Sequence, residues 1–190
     1  MPHKYKEIDG WFDEDFSRIY DFLVKHICSN DAFIEVGCWK GCSSVYLLEK
    51  LVEEDKYPTV YFVDTFTGDE HGNGDYIGKT AKEFEDNVIS AGFDHLYHLE
   101  DKKRIRWQVL PMDSIRCAKM WTDNSIFSIM LDGNHGAQYV AEEIQAWLPK
   151  IKHGGYIVGH DFPDQAINPI VNRLLPSRED WGSCYLYRKP

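Results

Sequence analysis

The sequence has no apolar run near the ~20 residues needed to cross a bilayer. Its first residues, Met1-Pro2-His3-Lys4, are polar and lack the apolar core of a secretory leader, so a cytoplasmic location is expected. Five cysteines are present (Cys28, Cys38, Cys42, Cys117 and Cys184), an odd number with no C-x-x-C pair. That argues against a disulfide framework or a zinc site and suits free thiols in a reducing compartment. No dense basic run occurs; Lys102-Lys103-Arg104 with Arg106 comes nearest and reads as a solvated loop. With a net charge of −10, neither nucleic acid nor an anionic membrane is an expected partner. Repeats, low-complexity segments and linkers are missing too. Residues 1–190 therefore read as one domain, with 1–30 as an N-terminal helical segment packing on it.

What is present is an alternation of strand and helix patterns. Hydrophobic residues make up 43% of the 190, enough for a real core. The 14% aromatic content is high and fits a well-filled core, with a site or an interface as the other use. Phe16, Ile19, Tyr20, Leu23, Val24 and Ile27 recur at helical spacing. Short apolar runs at Ala32–Val36, Thr59–Val63, Arg106–Leu110, Ser125–Leu131 and Gly155–Val158 read as buried strands, and Ser183–Tyr187 as a last one. Helical patterns fall between them. This order predicts an α/β fold of the Rossmann-like kind, with a mostly parallel sheet covered by helices on both faces. The Gly68–Gly78 stretch is the one long polar loop, and a lid over the site is expected there.

Ligands of open α/β sheets bind outside the carboxyl ends of the strands. Carboxylates stand at or near those ends here: Glu35, Asp64, Asp113, Asp132 and Asp161. The most specific stretch is Phe33-Ile34-Glu35-Val36-Gly37-Cys38-Trp39-Lys40-Gly41-Cys42-Ser43. It has G-x-x-x-G where a dinucleotide fold has G-x-G-x-x-G, and a carboxylate just before it. A phosphate site does not want that carboxylate; a cationic amino acid does. Glu35 would take an ammonium while the helix N-terminus takes a carboxylate. Asp64 suits two ribose hydroxyls and Asp113 an adenine amine. An amino acid joined to an adenosine describes S-adenosylmethionine (SAM). The expected cofactor contacts are Glu35, Gly37, Cys38, Trp39, Gly41, Ser43, Asp64, Asp113 and Ser114.

Together with Val63–His71, Leu131-Asp132-Gly133-Asn134-His135 and the Trp147–Asp161 stretch, this loop resembles the small class I SAM-dependent methyltransferases akin to macrocin-type O-methyltransferases and cephalosporin-hydroxylase-type proteins. The resemblance covers about residues 8–165 and implies a seven-stranded sheet with its last strand antiparallel. Pro176–Trp181 is short for the usual penultimate strand, which leaves the strand count open.

Asp132, His135, His160 and Asp161 should meet beside the transferred methyl, as the catalytic set. One chemistry that uses such a set is a Mg²⁺ or Mn²⁺ ion on Asp132, His160 and Asp161 that activates an acceptor hydroxyl. The other is metal-free, with His135 or His160 as general base. Metal-dependent relatives carry an acidic pair where this chain has His160-Asp161, and an acid where it has Asn134. His71 would reach the site from the polar loop. The expectation is methyl transfer to a hydroxyl of a sugar or small natural product, with that small molecule as partner and self-association left open. The rival readings are a metal-dependent hydrolase or hydroxylase-like enzyme and a non-catalytic SAM-binding module.

Overall fold

The computed structural model describes residues 3–67, 79–94, 104–162 and 164–190. A 3-10 turn (Lys4–Glu7) precedes α1 (Glu14–His26). Then come β1 (Ala32–Val36), α2 (Cys42–Glu53), β2 (Thr59–Asp64), α3 (Lys79–Ser90), β3 (Arg106–Pro111), α4 (Ser114–Ala118), β4 (Ile126–Leu131), α5 (Ala137–Trp147), β5 (Ile151–Gly159), α6 (Asn168–Leu174), β6 (Glu179–Trp181) and β7 (Cys184–Arg188). The strands form one seven-stranded sheet in the order β3-β2-β1-β4-β5-β7-β6. The first five strands are mutually parallel, and β7 runs antiparallel to both β5 and β6. The fold is the Rossmann-like class I methyltransferase arrangement, with the antiparallel strand at the C-terminal side. The short segment before β7 does form a strand, β6, which completes the seven. The polar loop from Gly68 to Gly78, with His71, lies outside the described residues.

Each face of the sheet has its own core. One holds Phe16, Tyr20, Leu23, Val45, Leu48, Phe62 and Phe84 under α1, α2 and α3. The other holds Ile34, Val63, Ile129, Ile144, Trp147, Ile157 and Val171 under α4, α5 and α6. The α1 stripe seen in the sequence accounts for its burial, since Phe16, Ile19, Tyr20, Leu23 and Val24 are all covered. β4 is buried along its whole length, as a central parallel strand must be when helices cover both faces.

β1 pairs with β2 on one side and β4 on the other, so chain order reverses between β1 and β4. That switch point opens a crevice at the carboxyl ends, between the loops after these two strands.

Candidate active site

The loop after β1 is shaped by two glycines. Gly37 has φ +84°, and a Cβ there would lie 1.9 Å from the Asp132 carbonyl oxygen. Only glycine lets the β1 and β4 tips come so close. Gly41, at φ +92°, is the N-cap of α2 and gives the helix no side-chain cap. The first N–H groups of α2 are thus left for an anion. Trp39 lies between them at φ +41° and donates its N–H to Asp64 Oδ2 at 2.9 Å. Asp64 Oδ1 accepts from Phe66 N–H at 2.7 Å, so this carboxylate ties the β1 and β2 tips together. Burial pushes the Asp64 carboxyl up, against those backbone bonds.

Non-glycine residues at positive φ number five among the described residues: Trp39, Asp55, Phe66, Asn124 and Asp161. Asp55 and Asn124 are residue types that tolerate this region in turns. The other three follow β1, β2 and β5, so backbone strain gathers at the carboxyl ends, where functional sites store it.

Several sequence-predicted contacts already have partners within the protein. Glu35 does not face the crevice. Strand alternation puts it on the same side as Phe33, under α1. It is fully buried, and Ser43 Oγ donates to its Oε1 at 2.5 Å. Burial pushes its carboxyl up to about 7. Its Oε2 is buried without a hydrogen bond. Cys38 is buried, with its Sγ 3.4 Å from the Glu35 carbonyl oxygen. Asp113 caps α4 through Arg116 N–H and also accepts from Tyr139 Oη at 2.6 Å. Ser114 is buried and accepts from Trp147 Nε1 at 2.9 Å. An adenine amine at Asp113 would add to these protein bonds.

Asp132, His135, His160 and Asp161 do converge. β4 and β5 are paired neighbours, with Leu131 opposite Gly159, which sets the two tips side by side. His135 Nε2 lies 3.0 Å from Asp161 and 3.9 Å from Asp132. The two carboxylates push His135 up to about 10. His160 Nδ1 is 3.1 Å from Asp132 and 3.5 Å from Asp161. Burial opposes charge on His160, but its bonds to those carboxylates outweigh that and raise it to about 11. The two imidazoles hold Asp161 well below the usual carboxylate range.

This geometry corrects the metal set. Among the described residues, the group with ligand atoms all within 4.8 Å of one another is Asp132, His135 and Asp161. His160 is not in it, although its Nδ1 approaches both Asp132 and Asp161; its Nε2 faces Asp13. Two carboxylates and an imidazole form a donor set that suits a divalent ion such as Mn²⁺.

Asp13 is the residue that sequence reasoning missed. Its Oδ1 accepts from Phe16 N–H at 2.8 Å and caps α1, while its Oδ2 lies 3.4 Å from His160 Nε2. Phe16 stacks on the His160 ring at 5.1 Å. The Asp-x-x-Phe spacing signals the cap; nothing local signals that the helix starts against β5. Asp13→Ala is expected to lose about 1 kcal/mol of stability in urea unfolding, and Asp13→Asn, an equally good cap, less than about 0.5 kcal/mol. An Asn variant as unstable as the Ala variant would show that pairing with His160, not capping, carries the contribution.

A family model described as a methyltransferase domain matches residues 34–162, the span from β1 to just past β5. No curated protein matches the chain. Solved structures do. A SAM-dependent O-methyltransferase from Thermotoga maritima is 14% identical, with a TM-score of 0.66, over 95% of this chain and 66% of that one. An rRNA methylase from Streptococcus thermophilus is 11% identical, with a TM-score of 0.62, over 95% and 100%. A precorrin 8w decarboxylase from Methanobacterium thermoautotrophicum is 13% identical, with a TM-score of 0.65, over the whole of both chains. At these identities the structures speak for the fold alone. The family match spans most of the chain and includes both the glycine loop and the Asp132–Asp161 cluster: the chain belongs to the methyltransferase-domain family of class I proteins.

Proposed function

We propose that the chain transfers a methyl group from SAM to a hydroxyl oxygen of a small acceptor, a sugar or natural product. The observation that carries this reading is the juxtaposition, across one crevice, of an uncapped α2 N-terminus and Asp64 with the Asp132–His135–Asp161 cluster. The first pair suits the carboxylate and ribose of SAM. The Asp132 backbone carbonyl, beside Gly37, would be an acceptor for the ammonium. The acceptor oxygen forms its bond to the methyl carbon as the carbon–sulfur bond breaks, leaving S-adenosylhomocysteine. Alignment supplies most of the acceleration in such a displacement.

The hydroxyl must also lose its proton. His135 and His160 already carry one at neutral pH, so neither is poised as the base. A metal on His135 would have to displace that same proton, so the protonation of the imidazoles does not separate the metal from the metal-free reading. Asp132, His135 and Asp161 would hold a divalent ion, which would supply Lewis acidity that lowers the pKa of an acceptor hydroxyl and lets its proton leave to solvent. His160, enclosed by Asp132, Asp13 and the Phe16 ring, holds Asp132 in orientation.

The test is calorimetry with SAM and S-adenosylhomocysteine, followed by methyl release against a panel of hydroxylated acceptors. Asp64→Ala should weaken SAM by about 1–3 kcal/mol, the usual cost of removing a buried hydrogen-bond partner. Unchanged affinity would remove Asp64 from the site, and no binding of either ligand would overturn the SAM reading.

A further inference from the structure

Trp11 stands out among the exposed apolar side chains. It is 75% exposed. The other large exposed hydrophobics among the described residues, Val52, Ile89 and Met120, lie toward the far ends of α2 and α3 and after α4, away from the strand tips. Trp11 is instead at the crevice. One residue before it, Gly10 presses on Cys42 at the start of α2, where a Cβ would meet Cys42 Cβ at 2.5 Å. Two residues after it, Asp13 meets His160. Two residues of chain span at most about 7 Å, so Trp11 lies on the rim between the cofactor loop and the catalytic cluster.

Its ring is also braced. It stacks on Trp39 with centroids 4.7 Å apart and planes at 27°. Trp39 is fixed in turn by its N–H bond to Asp64, and Lys40 Nζ sits 4.8 Å from the Trp39 ring centroid. Lys40 is held by Asp9 and Glu83 at 3.2 and 3.3 Å. A single exposed indole is far too small an apolar area for a protein interface, which needs about 800 Å² from each partner. One ring-sized ligand fits it.

We propose that Trp11, backed by Trp39, is a stacking platform for the ring of the methyl acceptor. The ligand class is a small molecule with one flat apolar ring face and hydroxyls at its edge. The face comes either from the C–H side of a pyranose or from an aromatic ring; both stack on indole. The platform would hold the ring while an edge hydroxyl reaches toward Asp132, His135 and Asp161. This rests on the methyltransferase reading for the identity of the ligand.

The test uses the full chain labelled with 5-fluorotryptophan, with the Trp11 and Trp39 fluorine signals assigned through Trp11→Phe and Trp39→Phe. Methyl β-D-glucopyranoside and catechol are titrated separately, with and without S-adenosylhomocysteine. The expected result is a saturable shift of both signals with one of the two probes and no shift of buried Trp147 and Trp107. Which probe acts distinguishes a sugar from an aromatic acceptor. Trp11→Ala should weaken that probe about 10-fold or more while leaving S-adenosylhomocysteine affinity within twofold. Failure of both probes, in a protein that binds S-adenosylhomocysteine, overturns the platform and leaves the methyltransferase reading standing. A Trp11 shift that follows protein concentration without any probe also overturns it, in favour of contact between copies. Absence of S-adenosylhomocysteine binding counts against the function, and a saturable probe shift in that case still upholds the ring site.

Discussion

Gly37→Ala is expected to destabilise the protein by about 2–5 kcal/mol, the sum of left-handed backbone strain and an overpacked contact. The added Cβ would meet the Asp132 carbonyl at 1.9 Å, and the Gly133 nitrogen and Asp132 carbonyl carbon within 2.8 Å. These are backbone atoms of the neighbouring strand tip and cannot swing aside as a side chain would. Gly92→Ala is the control. Gly92 has φ +99° with nothing within 4 Å of the added carbon, so it carries strain without collision and should cost about 1 kcal/mol. Urea unfolding of the two variants isolates the collision term. Equal losses would mean that the β1 and β4 tips are not held together as described. The same substitution should also abolish SAM binding, since it pries open the crevice from its base.

Asp161→Asn should reduce methyl transfer by at least about 100-fold, within the range seen on removing one group that stabilises a reacting centre. SAM affinity should stay within a few-fold, because Asp161 lies just past the end of β5 and not on the cofactor loop. The variant keeps the shape and tolerates the φ of +53° that Asp161 adopts. What it loses is the charge facing His135 at 3.0 Å. Mn²⁺ titration calorimetry should show a site in the parent and a loss of about 10–100-fold in the variant, the scale seen when a metal site loses a supporting group. Activity in the parent that survives EDTA would sink the metal reading. Normal turnover by Asp161→Asn would remove the residue from catalysis altogether.

The strand tips were legible because short apolar runs ending in Gly or Asp are local signals. Ala32–Val36 coincides with β1, and the convergence of Asp132 with Asp161 follows once β4 and β5 are neighbours. β6 was not legible: Glu179-Asp180-Trp181 is a three-residue, largely exposed edge strand whose pairing with β7 is all that defines it. The inward turn of Glu35 was hidden for a different reason. Its alternation with Phe33 was visible, but which face of β1 looks at α1 is a matter of topology. Phe33 packs against Tyr20 at 5.6 Å, and Glu35 follows it to that side. His160 was read as a ligand because its partner on the other side, Asp13, is 147 residues away in the chain. Patterns within a window report on strands and caps; a side chain held from two distant elements leaves no such trace.

The strain at the strand tips also says how this protein would answer to selection for heat resistance alone. Glycine relieves a left-handed residue of about 1–2 kcal/mol. At Asp161 that relief is opposed by the loss of its ion pair with His135 at 3.0 Å, and at Trp39 by the loss of its stack on Trp11, so glycine should be enriched at neither. At Phe66 it should be rejected, because that ring is buried against Phe84 and removing it would cost about 3–5 kcal/mol. A library sorted by survival after heating should then keep all three side chains, and sorting the same library by methyl transfer should keep the Asp161 carboxylate as well.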